Sequence, residues 1–303
     1  MTRSTSSGDR SAPRPALDRE RWMPLLAAAI AEDVGTGDVT SEVIFDASAR
    51  TQARIEARER LVVCGTAIAR AAFEHLDPSV RVATCLSDGE VAEPLAPVMR
   101  IEGPVRAVLA AERTALNFLG RMCGVATHTR RHVEAVEGTR AAIVDTRKTL
   151  PGWRALDKYA VAVGGGTNHR MGLWDGVLLK DNHAAAAGSL EAAVRRALDR
   201  APAGIPIQVE VQSHDEARVA CDAGATFLLL DNLEPDAIRA IVADLGARAV
   251  LEASGGITLA NVRRYAETGV HRISIGALTH SAPNADLSLE IDGDGDGARG
   301  PAA

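Results

Sequence analysis

Six short apolar segments between residues 141 and 277 each end in polar residues, and amphipathic helical segments separate them. The segments are AAIVDTRK (141–148), GVLLKDN (176–182), IPIQVEV (205–211), ATFLLLDN (225–232), AVLEASGG (249–256) and RISIGA (272–277). Their hydrophobicity is continuous rather than alternating, which is typical of parallel strands buried on both faces. The pattern predicts a parallel α/β barrel or a doubly wound sheet. Because such barrels usually have eight strands, six would leave a barrel incomplete or dependent on a borrowed strand.

The residues before these segments predict a second, smaller domain. TQARIEARE alternates as strands do, EDVGTGDVTS is expected to be a turn-rich loop, and a long amphipathic helix is expected over about 105–137. We therefore predict an α+β domain over 17–138 and a barrel domain with the catalytic residues over 139–280. Residues 281–291 are expected to form a C-terminal segment that returns to the first domain.

Both ends of the chain are predicted to be disordered tails. Residues 1–16 are rich in Ser, Arg and Pro, and they lack the hydrophobic core of a signal peptide, so a tail is favoured over an organellar presequence. Residues 292–303 begin like a calcium loop, but Ala303 stands where such a loop carries Glu. A solvated acidic tail is therefore the favoured interpretation.

Composition excludes several classes of protein. The net charge of -6 and the pI near 5.8 offer no basic field for a nucleic acid. No apolar run approaches the roughly 20 residues that span a bilayer, so no membrane partner is expected. The four cysteines are scattered, without the spacing of a disulfide framework or a zinc site. These features predict a cytoplasmic protein with reduced thiols.

Candidate functional residues lie at the C-terminal ends of the predicted strands, where parallel barrels carry their active sites. Glycine-rich turns follow the last two strands, and free backbone N–H groups there suit the phosphate of a sugar phosphate. Glu210 and Asp231 each end an apolar segment, and such a pair can bind Mg²⁺ directly or through water, or bind ribose hydroxyls. The turn residues are Ser254, Gly255 and Gly256 after one strand, and Gly276 and Ala277 after the next.

Positive charge is concentrated between residues 147 and 180. Only three of the 34 Lys and Arg residues are lysines, and all three, Lys148, Lys158 and Lys180, lie between positions 148 and 180. Arg147 and Arg170 could grip the carboxylates of a planar acid, and lysines could neutralise a departing pyrophosphate. The glycines 164–166 invite a phosphate-loop reading, but we expect them to form a sharp turn that directs His169 and Arg170 into this pocket.

Together these residues predict pentosyl transfer from a pyrophosphorylated ribose to an organic acid. Two alternatives remain open at this point. Lys180, a strand-end lysine in an apolar segment, could be the nucleophile of a Schiff-base aldolase or lyase. The chain could also be a noncatalytic protein that binds a phosphorylated ligand.

Over roughly residues 18–291 the chain resembles quinolinate phosphoribosyltransferases. The resemblance rests on EDVGTGDVTS, ERTALNFLGRMCGVAT, DTRKTLPGWRALDKYAVAVGGGTNHRMGLWDGVLLKDNH, EVQS, LLLDN, EASGGIT and ISIGALTHS. It implies an α+β sandwich domain with an incomplete barrel, and a homodimer whose active sites use both chains. The implied reaction joins quinolinate to phosphoribosyl pyrophosphate with Mg²⁺ and releases nicotinate mononucleotide, pyrophosphate and CO₂. A molybdenum-associated relative with another acceptor is the alternative within the family, and TNHR and KDNH favour the quinolinate enzyme.

The resemblance also implies roles for individual residues. Arg113 of ERTALN would reach the partner's site, whereas its pattern alone indicates a solvated side chain. Lys148, Lys180, Glu210 and Asp231 would be catalytic, with the two carboxylates serving ribose and Mg²⁺. The remaining implied substrate-binding residues are Thr146, Arg147, His169, Arg170, Ser254, Gly255, Gly256, Gly276, Ala277 and His280. Gln208 and Gln212 depart from the family pattern, in which further acids are common, and leave open how many carboxylates hold the cation.

Overall fold

The computed structural model describes residues 17–292, whose two main sheets are one antiparallel sheet of four strands and one parallel sheet of six strands. The predicted tail 1–16 and residues 293–303 of the predicted acidic tail lie outside the described residues. None of the helices within 17–292 is long and apolar enough to cross a membrane.

The first part of the chain contains short strands and four helices that surround them. The strands are β1 (Arg50–Ala57), β2 (Leu61–Val62), β3 (Arg81–Thr84), β4 (Val91–Ala92) and β5 (Pro97–Pro104). The helices are α1 (Arg19–Val34), α2 (Val39–Ile44), α3 (Thr66–Leu76) and α4 (Val105–Ala135). The segment EDVGTGDVTS is only partly the loop that we expected. Its last residues begin α2, because Asp38 caps that helix by accepting from the backbone N–H of Ser41 (3.1 Å).

The second part alternates strands with helices, as predicted. The strands are β6 (Ala142–Val144), β7 (Val177–Leu179), β8 (Ile207–Val211), β9 (Phe227–Asp231), β10 (Val250–Ser254) and β11 (Arg272–Ser274). The helices are α5 (Arg154–Val163), α6 (Asp181–Ala187), α7 (Leu190–Arg200), α8 (His214–Asp222), α9 (Pro235–Leu245), α10 (Val262–Ala266) and α11 (Ala277–His280). The sheet is parallel throughout, in the order β6-β11-β10-β9-β8-β7.

This strand order is that of a barrel that does not close. The first strand, β6, pairs with the last, β11, while β7 lies at the opposite edge, and no ladder joins β6 to β7 in the described residues. Part of the connection between them runs along the gap instead. Thr167 donates its N–H to Ile143 (2.8 Å) and accepts from the N–H of Asp145 (3.1 Å). The predicted incomplete parallel barrel is confirmed, and we call the gap between β6 and β7 the seam.

The last strand, β12 (Leu287–Ile291), belongs to the first part of the chain. It pairs antiparallel with β1, so the first sheet has the order β12-β1-β5-β3. To reach β1, the chain passes across the middle of α4, where two glycines face it. Ala285 donates its N–H to the carbonyl of Gly120 (2.8 Å), and a Cβ on Gly124 would lie 2.0 Å from the carbonyl oxygen of Pro283. The absence of a side chain therefore permits the return.

We expect Gly124→Ala to destabilise the protein. Alanine in a helix interior is normally better than glycine by roughly 1 kcal/mol. Here the methyl group must displace the backbone at Pro283, and overpacking of this kind costs about 1–3 kcal/mol. Urea unfolding of both variants measures the effect. Gly120→Ala is the matched control, because its nearest contact would be Ala285 O at 3.1 Å. A Gly124→Ala protein as stable as wild type would contradict this packing.

Candidate active site

A cavity of about 420 Å³ opens at the C-terminal ends of the six parallel strands. All the substrate-binding residues predicted from the sequence line it except Arg113. They are Thr146, Arg147, Lys148, His169, Arg170, Lys180, Glu210, Asp231, Ser254, Gly255, Gly256, Gly276, Ala277 and His280. The remaining lining residues were not predicted, and they are Leu178, Leu229, Glu252, Ile257, Thr258, Ser274 and Ile275. The fold thus gathers side chains that are up to 134 positions apart, from Thr146 to His280.

Two arginines give one side of the cavity its positive character. Arg170 donates from Nη1 to the carbonyl of Gly176 (2.8 Å). Burial, and then the nearby charge of Arg147, lower the pKa of Arg170 from its ordinary value. The Nε of Arg147 is buried and has no hydrogen-bond partner. Because the two cations repel and one donor is unsatisfied, this side of the cavity favours an anionic ligand.

His169 lies at the cavity wall, but both ring nitrogens are engaged by the protein. Nδ1 accepts from the backbone N–H of Arg170 (2.8 Å), and Nε2 lies 2.8 Å from Oε1 of Gln208. Since Nδ1 is an acceptor, the network assigns the proton to Nε2. His169 therefore orients Arg170, whereas the sequence led us to expect that His169 contacts the substrate directly.

The two predicted carboxylates occupy neighbouring strand ends. Glu210 is the penultimate residue of β8 and forms an ion pair with Lys180, with 2.6 Å between Oε2 and Nζ. Asp231 ends β9 and accepts from the side-chain amide of Asn232 (2.8 Å). Because Nζ of Lys180 is engaged in this ion pair, it is not free to attack a carbonyl, and this weighs against the Schiff-base alternative.

The glycine turns after β10 and β11 form another part of the cavity wall. Gly255 and Gly256 have φ of +99° and +60°, values that a side chain disfavours. A Cβ on Gly255 would lie 2.1 Å from Oδ1 of Asn232, so this position has no room for one. A Cβ on Gly276 would lie 2.8 Å from Cδ of Lys148, so this glycine lets the lysine pack against the turn.

The glycines 164–166 lie away from the cavity. Gly165 has φ +94° and ends the turn after α5. A Cβ on Gly164 would lie 2.5 Å from Ala126 O of α4, and one on Gly166 would lie 2.7 Å from Val161. The turn that we expected is therefore present, and the glycines also allow α5 to approach α4 closely. They do not form a phosphate loop.

Two buried polar side chains at the base of the cavity were not predicted to be site residues. Glu252 is fully buried, and its carboxylate lies 2.8 Å from Nε of Arg272 and 3.6 Å from Nε2 of His169. Gln208 is also buried, and its Oε1 lies 2.8 Å from the same nitrogen of His169. Glu252 and Gln208 each stand two positions before a predicted site residue, on the same face of their strands. Their polarity within an otherwise apolar segment was the signal that could have identified them.

Arg113 does not line the cavity of its own chain. It lies on α4 with a side chain that is 66% exposed, and the nearest carboxylate is that of Glu112 at 3.9 Å. Its solvated pattern therefore describes the single chain correctly.

Two domains of one protein family match the chain. Quinolinate phosphoribosyl transferase, N-terminal domain, matches residues 38–123, and the C-terminal domain of the same family matches residues 125–290. A probable nicotinate-nucleotide pyrophosphorylase of Bacillus subtilis is 41% identical over 86% of this chain and 90% of that protein. The nicotinate-nucleotide pyrophosphorylase of Mycobacterium leprae is 40% identical over 88% and 95%. The solved structure of this enzyme from Francisella tularensis has a TM-score of 0.88 and 35% identity, covering 92% of this chain and 98% of that one.

We expect Gly255→Ala to abolish the anion affinity of the turn after β10. The added methyl group must displace Asn232, so the backbone N–H groups turn away, and misplacement of about 1 Å can cost about 100-fold. Calorimetric titration with inorganic phosphate measures the loss. Gly256→Ala is the matched control, because nothing lies within 4 Å of its Cβ and only the strain at φ +60° is added. Phosphate affinity in Gly255→Ala equal to that of the wild-type protein would contradict a role for this turn.

Proposed function

The chain belongs to the quinolinate phosphoribosyltransferase family, and we infer from this membership and from its cavity that it makes nicotinate mononucleotide. The reaction joins quinolinate to phosphoribosyl pyrophosphate and releases pyrophosphate and CO₂. The observation that carries the proposal is the arrangement of the cavity rim. Basic side chains follow β6 and β7, glycine turns follow β10 and β11, and the carboxylates of Glu210 and Asp231 lie between them on β8 and β9.

The basic side binds the aromatic acid. Arg147 and Arg170 present guanidinium groups to the two carboxylates of quinolinate, and the unsatisfied Nε of Arg147 gains a partner when the acid binds. His169 holds Arg170 in place. Thr146 lines the same wall and accepts from the backbone N–H of Lys148 (3.0 Å).

The rest of the rim binds the sugar donor. Backbone N–H groups of the turns at 254–256 and 276–277, together with His280, bind the 5'-phosphate. Lys148 and Lys180 neutralise the pyrophosphate as it leaves. Glu210 and Asp231 face the ribose, where they accept from its hydroxyls and tolerate the positive charge that develops on C1'.

The chemistry requires no covalent bond to the protein. The ring nitrogen of quinolinate bonds to C1' as the bond from C1' to the pyrophosphate oxygen breaks. As CO₂ leaves, the electron pair of the broken bond stays on the adjacent ring carbon, where the positive charge of the quaternised nitrogen stabilises it, and that carbon then takes up a proton. By positioning the two substrates and stabilising the leaving group, the cavity supplies the effects that such a displacement needs.

The carboxylates fit a magnesium ion that the substrate helps to hold. Among residues 17–292 no group of three or more His, Cys, Asp or Glu side chains could form a complete metal site. Mg²⁺ commonly binds through one or two carboxylates together with substrate phosphates. Glu210 and Asp231 can provide those carboxylates. When bound with the pyrophosphate, it neutralises the charge of that leaving group. Neither glutamine assists, because Gln208 is buried against His169 and Gln212 is exposed outside the cavity.

A homodimer would complete the site. Arg113 is exposed and does not line its own cavity, which suits a residue that serves the partner's cavity. Beside α4, the helix α2 exposes three apolar side chains, Val39, Val43 and Ile44, at 71%, 81% and 63%. A surface of this kind favours burial against another chain.

No disulfide joins any of the four cysteines, which supports a reducing compartment such as the cytoplasm.

Purified protein with quinolinate, phosphoribosyl pyrophosphate and Mg²⁺ should release CO₂ and pyrophosphate in equal amounts. Radiometric CO₂ capture and a coupled pyrophosphate assay measure the two products. Chelation of Mg²⁺ should stop both, and nicotinate in place of quinolinate should yield no CO₂. Absence of product from the complete mixture would rule out the proposed function.

Mixing inactive variants tests the shared site. Arg113→Ala and Lys148→Ala should each be inactive, but a mixed dimer has one site that is intact. With random exchange, half the dimers are mixed, so about a quarter of wild-type activity should return. Lys148→Ala mixed with Arg170→Ala is the matched control. Each change lies in its own chain's cavity, so both sites of a mixed dimer stay defective and no activity returns. Equal recovery, or none, in the two mixtures of exchanged subunits would contradict the dimer proposal.

A further inference from the structure

We propose that α5 is the positioning element of the active site, with Lys158 fixing the groups that grip the acid and Asp157 fixing those that grip the sugar donor. The proposal rests on the function inferred above. Neither residue lines the cavity, and each is 1% exposed. They therefore act through the two loops that flank the seam, which we call the first basic loop (residues 145–150) and the second basic loop (residues 167–171).

The seam is the weak point of the barrel rim. Elsewhere the strand ends are held by hydrogen-bonded neighbours, but β6 and β7 have no ladder between them in the described residues. The cations of both basic loops face each other there, and the charge of Arg147 lowers the pKa of Arg170 together with burial. This repulsion opposes the close approach of the two loops. One backbone hydrogen bond, from the N–H of Asp145 to the carbonyl of Thr167 (3.1 Å), joins the two loops at their starting points, so side-chain contacts must fix the remainder in the geometry that binds substrate.

Lys158 holds the starting points of both loops on the side of the acid. Its ammonium contacts the carboxylate of Asp145 and donates to the carbonyl of His169 (3.0 Å). Asp145 also accepts from the backbone N–H of His169 (2.8 Å) and from the amide of Asn168 (2.6 Å). Asp145 lies two positions before Arg147, and His169 directly precedes Arg170. One buried cluster therefore sets the spacing of the two arginines.

Asp157 fixes the residues on the side of the cavity that binds the sugar donor. One carboxylate oxygen accepts from the backbone N–H of Leu150 (3.3 Å), at the end of the first basic loop. The other accepts from Nη2 of Arg121 (3.0 Å), which also contacts the carbonyl of Thr279. The hydroxyl of Thr279 in turn donates to the carbonyl of Lys148 (2.9 Å). Asp157 thus links Lys148 with α11, whose first turn lies at the proposed phosphate site.

One helix can serve both sides because successive residues point about 100° apart around its axis. Arg154, one turn earlier, reinforces the arrangement. Its Nε donates to the hydroxyl of Thr149 (3.1 Å), and its Nη1 donates to the carbonyl of Met171 (3.2 Å). Arg154 therefore contacts both basic loops directly, and α5 occupies the place that a strand ladder takes elsewhere.

Steady-state kinetics with both substrates tests the division of labour. Lys158→Met should raise KM for quinolinate about tenfold or more and leave KM for phosphoribosyl pyrophosphate within about twofold. Asp157→Asn should do the reverse. A residue that only stabilises the fold would lower the active fraction, and hence the apparent kcat, without separating the two KM values.

Glu56→Gln provides the matched control for lost stability. Glu56 is a buried carboxylate on β1 that pairs with Arg54 (3.1 Å) and Arg58 (3.0 Å), in the other part of the molecule. It should change neither KM. If both α5 variants behave like Glu56→Gln, or if both KM values rise together, the proposal is wrong.

Two milder variants keep the test decisive if the ion-pair variants do not fold. Asn168→Ala removes one donor to Asp145 and should raise KM for quinolinate alone, while Thr279→Val removes the donor to Lys148 and should raise KM for the sugar donor alone. The absence of this smaller split would overturn the proposal. A wild-type protein without turnover would instead refute the proposed function, whereas turnover without a split refutes only the role of α5.

Discussion

The active site depends on holding like charges together at a place where the backbone ladder is interrupted. The barrel has six strands, and its first and second strands in sequence do not pair in the described part of the chain. The first basic loop follows β6, the second basic loop precedes β7, and both contribute to the same cavity. A closed ladder would hold these loops through main-chain hydrogen bonds alone. In this protein, buried side chains of α5 contact both loops, next to the part of the cavity that Arg147 and Arg170 line.

Buried ion pairs suit this task because they resist rearrangement more than they add stability. Burial raises the pKa of Asp145 and lowers that of Lys158, so taking the two charges out of water works against each of them. Their mutual contact, with donors from Asn168 and His169, offsets this cost. Removing one partner typically costs about 3–5 kcal/mol, because the other charge is left uncompensated. Such a cluster tolerates only one geometry, which is what a preorganised anion site requires.

The first part of the chain supports the same region from outside the barrel. The helix α4 packs against α5 through the glycines 164–166, and its Arg121 contacts both α5 and α11. The returning chain then crosses α4 at Gly120 and Gly124 before β12 joins the first sheet. The two parts are therefore linked by close backbone approaches, and glycines stand where a side chain would separate them.

The sequence by itself determined the order and type of most elements and the positions of the strand ends. The segment 205–211 became β8 over 207–211, because hydrophobic periodicity is a local property of the chain. Only the tertiary structure decided which polar groups meet. It turned the ring nitrogens of His169 toward Arg170 and Gln208, buried Glu252 beneath the cavity, and left Arg113 outside its own site. Such contacts join residues far apart in sequence, so they depend on strand register and helix approach, which local patterns do not encode.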